Sequence, residues 1–243
     1  MKPPLRIAHA SDIHLDTDYF GGEVNRSSCE AGRKLFSTLL EGIQGLQPSL
    51  FMLPGDLFDS NRASDETILW SMEMLAKLDF PVAMIPGNHD CLLDGGVFHR
   101  FNFAQIPDVH LLTASEGETV VLDDPPVVIW GKGMVDHTPE YKPLQGLPQP
   151  VADKWNLAMG HGIYVGKDQH NYRSSPISAH EIAESGFDYI ALGHHHAMLD
   201  VSQNGTVAFY CGAPVPISTH DKGTFLLVEL VEGEQPQMTI HSL

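Results

Sequence analysis

The sequence predicts an α/β fold of two packed mixed sheets flanked by helices, and three observations carry that prediction. Short apolar runs rich in β-branched and aromatic residues recur along the chain, most of them closed by Gly, Pro or Asp as buried strands are. Amphipathic helical stripes lie between the early runs, so residues 5–86 read strand, helix, strand, helix, strand, the order of parallel βαβ units. From Val109 onward several runs follow one another with only turns between them, which calls for antiparallel or mixed pairing.

Taken in order, LRIAHA opens as a strand, and Leu35, Leu39, Leu40, Ile43 and Leu46 then line one face of a helix over 31–46. SLFMLPG is the second strand. Ile68, Leu69, Met72, Leu75 and Leu78 make the next helical stripe over 65–78, with Ser64 placed to cap its first turn. PVAMIPG completes the βαβαβ pattern, whose ligands are expected outside the carboxyl ends of the strands. VHLLT, TVVL and PVVIWG follow as three short strands, then NLAMGHG, YIALGH, VAFYCGA and TFLLVEL. The proline-rich stretch 139–150 reads as a surface loop, because strands of the same kind lie on both sides of it. Residues 1–243 are therefore expected to form a single domain.

Composition bounds what such a fold does. Hydrophobic residues make up 42% of the 243 and charged residues 19%, which is ordinary globular usage. Acidic residues outnumber Lys and Arg by 31 to 14, and the net charge of −17 repels phosphate backbones, so duplex DNA is disfavoured as a partner. Cys29, Cys91 and Cys211 are too few for a disulfide framework or a thiolate zinc site, and read as small core residues in a reducing compartment. MKPPLRIAHASDIHL lacks a signal-peptide core and no long apolar run follows, which predicts a cytoplasmic protein with no membrane partner.

What stands out is the 14 histidines, several of them at the ends of apolar runs. Five clusters sit there: Asp12-Ile13-His14, Gly55-Asp56-Leu57-Phe58-Asp59, Gly87-Asn88-His89-Asp90, Gly160-His161-Gly162 and Gly193-His194-His195-His196. An extended Asp-x-His puts both side chains on one face. Each cluster alone is explained by turn chemistry, since Asp and Asn often end strands. Five in succession are not, and a glycine before a ligand permits the close backbone approach that a buried ion site needs.

The motifs D-x-H, G-D-x-x-D, G-N-H-D, G-H and G-H-x-H, in this order over residues 12–196, resemble the calcineurin-like metallophosphoesterase family. Within it, GDLFDSNRAS, YIALGHHH and FYCGAPVP are similar to the SbcD-type DNA-repair nucleases. The resemblance implies a four-layer α-β-β-α sandwich and two divalent ions. Asp12, His14, Asp56 and His196 match the ligands of one ion, and Asp56, Asn88, His161 and His194 those of the second, with Asp56 shared. Imidazole and carboxylate without thiolate suit manganese, iron or zinc, of which manganese is expected first. Two divalent ions against two carboxylates leave a cationic centre that draws in a small phosphoester despite the acidic surface.

The implied reaction is hydrolysis of a small or flexible phosphodiester or phosphomonoester, by in-line attack of water activated between the two ions. His89 matches the family's non-ligand histidine and is expected to act as general acid, with Asp59 accepting from its other ring nitrogen. Asp90 reads equally as an acceptor for a ligating histidine or as a turn cap, and His195 is expected to point away from its two ligating neighbours. Two other functions compete. An SbcD-like nuclease has motif support, but the chain ends too soon after VPIS to hold a capping domain or an ATPase-docking segment, so single-stranded nucleic acid stays open as a partner and duplex cleavage is not expected. A non-catalytic scaffold would have no need of His89 and Asp59 beside a complete ligand set. The sequence does not encode the oligomeric state. Asp16 begins a calcium-loop pattern that Phe20 and Ser27 break. Arg26, Arg62, Arg100, Arg173, His99 and His170 read as solvated side chains.

Overall fold

Period-two alternation divides the side chains of each central strand between two apolar layers. Along β1 (Leu5–His9), Leu5 and Ile7 enter one layer and Ala8 the other. The computed structural model describes residues 1–20, 23–24, 28–166, 175–214 and 223–243. After β1 come a small antiparallel pair, β2 (Tyr19–Phe20) and β3 (Glu23–Val24), then α1 (Ser28–Gly45), β4 (Leu50–Pro54), α2 (Asp65–Leu75), β5 (Val82–Ile85), α3 (Val97–Arg100), β6 (Val109–Leu111), β7 (Glu118–Asp123) and β8 (Pro126–Gly131). The remainder is β9 (Trp155–His161), β10 (Ile163–Val165), β11 (Pro176–Ser178), α4 (Ala179–Ser185), β12 (Tyr189–Gly193), β13 (Met198–Asp200), β14 (Val207–Cys211), β15 (Thr224–Leu230) and β16 (Gln237–Ser242).

Two six-stranded sheets result, in the orders β16-β15-β1-β4-β5-β6 and β13-β14-β12-β9-β8-β7. Four adjacent strands of each sheet run parallel, β1-β4-β5-β6 in the first and β14-β12-β9-β8 in the second, while β15, β16, β13 and β7 join antiparallel. Leu5, Ile7, Met52 and Ile85 of the first sheet meet Ile129, Leu157, Met159 and Ala191 of the second in the central layer. On the outer face of the first sheet, Ala8, Phe51, Leu53 and Met84 receive Phe36, Leu39, Leu40 and Ile43 of α1 and Ile68 and Leu75 of α2. On that of the second, Ala158, Ile190, Leu192 and Tyr210 receive Ile182 of α4. The architecture is the expected α-β-β-α sandwich. Among the described residues no helix is long and apolar enough to cross a membrane.

All ten apolar runs become strands. The first helix begins at Ser28 rather than residue 31, and the second stops at Leu75, where the Ala76 N–H donates to the Met72 carbonyl. Ser64 caps α2 as expected, accepting from the Thr67 N–H. Residues 139–150 run as turns, with Leu144 packed on the outer face of the second sheet. Cys91 and Cys211 are buried, but Cys29 is only half-buried and its Sγ lies 3.1 Å from Asp16 Oδ1, so it is not core filler. Arg26, Ser27, His170 and Arg173 lie outside the described residues.

His9, at the end of β1, is buried with Nδ1 2.7 Å from the Tyr189 hydroxyl, and burial pushes its pKa down to about 3. It stays neutral when folded and takes up a proton near pH 6.5 when unfolded. Its contribution to stability is therefore whole above pH 6.5 and is lost as pH falls toward 3. From pH 7 to pH 5 that loss amounts to about 2 kcal/mol. Urea unfolding of wild type and His9→Gln at both pH values should show the wild type losing more by about this amount.

Candidate metal centre

The five clusters follow β1, β4, β5, β9 and β12, all strands of the parallel cores, and the sandwich brings their ends together. The first two loops are tied by backbone hydrogen bonds: Asp12 N–H donates to the Gly55 carbonyl at 3.2 Å, and Ile13 and His14 N–H to the Asp56 carbonyl at 2.8 and 3.1 Å. Asp12, His14 and Asp56 hold φ of 57°, 52° and 55°, and His194 holds 96°. Each left-handed non-glycine residue costs about 1–3 kcal/mol and persists only where its surroundings over-determine it, as at binding sites.

Gly87 shows how tightly the loops close. A Cβ there would strike Asp56 Oδ1 and the Asp56 backbone nitrogen. Gly87→Ala should therefore displace the carboxylate shared by the centre, leaving a folded protein whose bound metal, read by elemental analysis, falls below that of wild type. Asp90, wholly buried, resolves its two readings: Oδ1 accepts from Gly87 N–H at 2.7 Å and Oδ2 from Phe58 N–H at 3.1 Å, so it clamps two turns and supports no ligating histidine. Burial first, and the Asp56 charge next, push its pKa up to about 6.

All seven expected ligands converge. Asp56, 1% exposed, places Oδ2 3.3 Å from His161 Nε2 and 4.0 Å from His14 Nε2. His14 Nε2 lies 3.3 Å from His196 Nε2, which is 3.6 Å from Asp12 Oδ1. Asn88 Oδ1 lies 2.9 Å from His161 Nε2 and 2.8 Å from His194 Nδ1. Among the described residues, three sets hold donor atoms within 4.8 Å of one another: Asp12, His14 and His196; Asp12, Asp56 and His161; and His14, Asp56 and His89.

The donor chemistry fits divalent cations. His161 Nδ1 is 2.8 Å from the Pro54 carbonyl, which only accepts, so Nδ1 carries a hydrogen and Nε2 faces Asp56 and Asn88 Oδ1. That cluster of acceptors needs a proton or a cation. Burial alone would lower the His161 pKa, but Asp56 overrides it and holds it up to about 9. Asp56 is held well below the usual carboxylate range, because its histidine neighbours, His161 foremost, outweigh its burial. His14 is raised against its burial by Asp59, Asp56 and Asp12, whereas burial and then the His161 charge push His194 down to about 3.

His89 lies beside this cluster, its ring centroid 4.6 Å from that of His14. Here the structure departs from expectation. His89 Nδ1 donates to the backbone carbonyl of Asp59 at 2.7 Å, while the Asp59 carboxylate is 3.8 Å from that nitrogen and 3.2 Å from His14 Nδ1. The loop after β4 turns the side chain toward the ligand and the main chain toward His89. His195 stays outside the cluster, with Nδ1 2.8 Å from the Ala197 carbonyl. His137 also reaches the cluster, its ring 5.0 Å from that of His194. It sits alone in a loop with no spacing pattern to mark it.

The calcineurin-like phosphoesterase family model matches residues 5–198, and this chain belongs to that family. The chain is 25% identical over 264 residues to the uncharacterized metallophosphoesterase YhaO of Bacillus subtilis, across 96% of this chain and 59% of that protein. It is 33% identical over 93 residues to the DNA double-strand break repair protein Mre11 of Methanosarcina acetivorans, a match spanning 37% of this chain and 15% of that one. The chain thus spans less than two thirds of either relative. The crystal structure of the Thermus thermophilus protein TT1561 shares the fold, with a TM-score of 0.61 at 11% identity over 98% of this chain and 99% of that one.

Proposed function

We propose that this protein hydrolyses a small or flexible phosphodiester or phosphomonoester, using two divalent ions, manganese first and iron or zinc otherwise. Asp12, His14, Asp56 and His196 would hold one, and Asp56, Asn88, His161 and His194 the other. The observation that carries this is Asp56, a buried carboxylate lying between His14 and His161, which belong to the two different ligand sets. What the ions supply when bound is positive charge against the phosphoryl oxygens and water made acidic enough to attack near neutral pH.

The chain's own groups do the rest. The Pro54 carbonyl fixes the His161 tautomer, and the Asp59 carboxylate, ion-paired to His14, steadies that ring. His89, its Nδ1–H held by the Asp59 carbonyl, keeps Nε2 for the proton that the leaving oxygen needs. The net charge of −17 turns long polyanions away, which favours a small cytoplasmic substrate over duplex DNA or a membrane. A nuclease acting on single-stranded DNA is the second reading, favoured by the stretch shared with Mre11.

The test is manganese-reconstituted protein, its metal content confirmed, assayed on aryl phosphomonoesters, aryl phosphodiesters, cyclic phosphodiesters and single-stranded DNA. Turnover of a small ester with the highest kcat/KM supports the proposal. Preference for single-stranded DNA would replace it with the nuclease reading, and no turnover of any ester with two ions bound would end both.

A further inference from the structure

We infer that His137 is a second phosphoryl-contacting imidazole of this centre, placed on the side opposite His89; the inference rests on the phosphoesterase reading and deepens it. His137 lies in the loop after β8, and that loop is anchored on both sides of it. Leu92 N–H donates to the Met134 carbonyl at 2.8 Å and Ser175 N–H to the Thr138 carbonyl at 2.8 Å, so the ring is held in place by the fold. It meets His194 edge-on, with ring centroids 5.0 Å apart and planes at 65°.

One observation separates a substrate contact from packing. His137 Nε2 is buried and has no hydrogen-bond partner among the described residues. Buried polar atoms are almost always paired, and an apolar ring would pack on His194 without leaving a nitrogen unsatisfied. The charges of His161, Asp56 and His89 all reach it, so it borders the same space as the proposed ligands.

The arrangement around the centre has two sides. His89 stacks edge-on against His14, a proposed ligand of one ion, and His137 against His194, a proposed ligand of the other. Arg6, Arg33 and Arg100, side chains otherwise suited to phosphate, are paired with Glu229, Glu66 and Asp65. An imidazole flanking the ions can recognise a phosphoryl oxygen, and an Nε2–H on His137 would donate to one.

The experiment uses manganese-loaded wild type, His137→Ala and His137→Gln. For each, metal per chain is measured, inorganic phosphate affinity is read by calorimetry, and kcat/KM is read on an aryl phosphodiester. The expected result is unchanged metal content, with phosphate affinity and kcat/KM both about 10- to 100-fold poorer in His137→Ala, the loss typical of one hydrogen bond to a charged group. His137→Gln, which keeps a donor, should fall between. Wild-type phosphate affinity in His137→Ala, whatever its melting temperature, would overturn the inference in favour of packing, and loss of an ion would overturn it in favour of ligation. Should wild type bind phosphate but hydrolyse no ester, while His137→Ala binds phosphate more weakly, the phosphoesterase reading fails and the contact stands.

Discussion

Asp56→Asn should empty the centre and cut kcat/KM by at least about 10³-fold, several kcal/mol of transition-state charge stabilisation. The substitution keeps the size of the side chain and an oxygen for the His89 N–H, which now reaches Asp56 Oδ1 at 2.8 Å. What it removes is the anion between His161 and His14, so both ligand sets lose charge at once. Elemental analysis should find less than one ion per chain. A second readout needs neither metal nor turnover. In metal-free wild type, Asp56 keeps the His161 imidazolium charged up to a pKa of about 9, against a burial that favours the neutral ring. Without the carboxylate, burial wins and His161 should be neutral at pH 7, visible in its imidazole NMR shifts. A variant that keeps two ions and the wild-type rate would remove Asp56 from its shared position.

The fold was legible where a strand is buried on both faces. β1, β4, β5, β9 and β12 announce themselves as apolar runs because the opposite sheet covers one face and helices the other. β13 is exposed along its length and β16 exposes most of its side chains, so neither carries an apolar signal. The helix α4 is short, with few buried positions, but its capping box of Ser178 and Glu181 is the signal that would have marked it. The ligand types were legible for a related reason. Each follows a strand end or a glycine whose position the fold fixes, so sequence order alone collects them at one edge. Directions within loops were not legible. Whether Asp59 offers His89 its carboxylate or its carbonyl depends on how the loop after β4 turns, and Asp90 clamps turns because Gly87 and Phe58 present their N–H groups to it. His137 reaches the centre only through anchors on Leu92 and Ser175, contacts distant in sequence that no local pattern predicts.

His89→Ala should do something different from Asp56→Asn: the ions stay and turnover falls, by about 10²- to 10⁴-fold in kcat, the usual worth of a positioned general acid. None of the expected ligand positions is touched, and the His89 side chain is 42% exposed, so its removal leaves no buried void. Size of effect alone would not separate proton donation from binding of a phosphoryl oxygen. The leaving group does. An alkoxide departs only if protonated, whereas a nitrophenolate departs readily without a proton, so the variant should lose most on alkyl esters and least on nitrophenyl esters. A contact to a phosphoryl oxygen would cost both substrates alike, as is expected of His137→Ala. Added imidazole should restore part of the His89→Ala rate on alkyl esters by entering the space the side chain vacates. Equal losses on alkyl and nitrophenyl esters would take the acid role from His89 and make it a phosphoryl contact instead, leaving the proton to come from solvent.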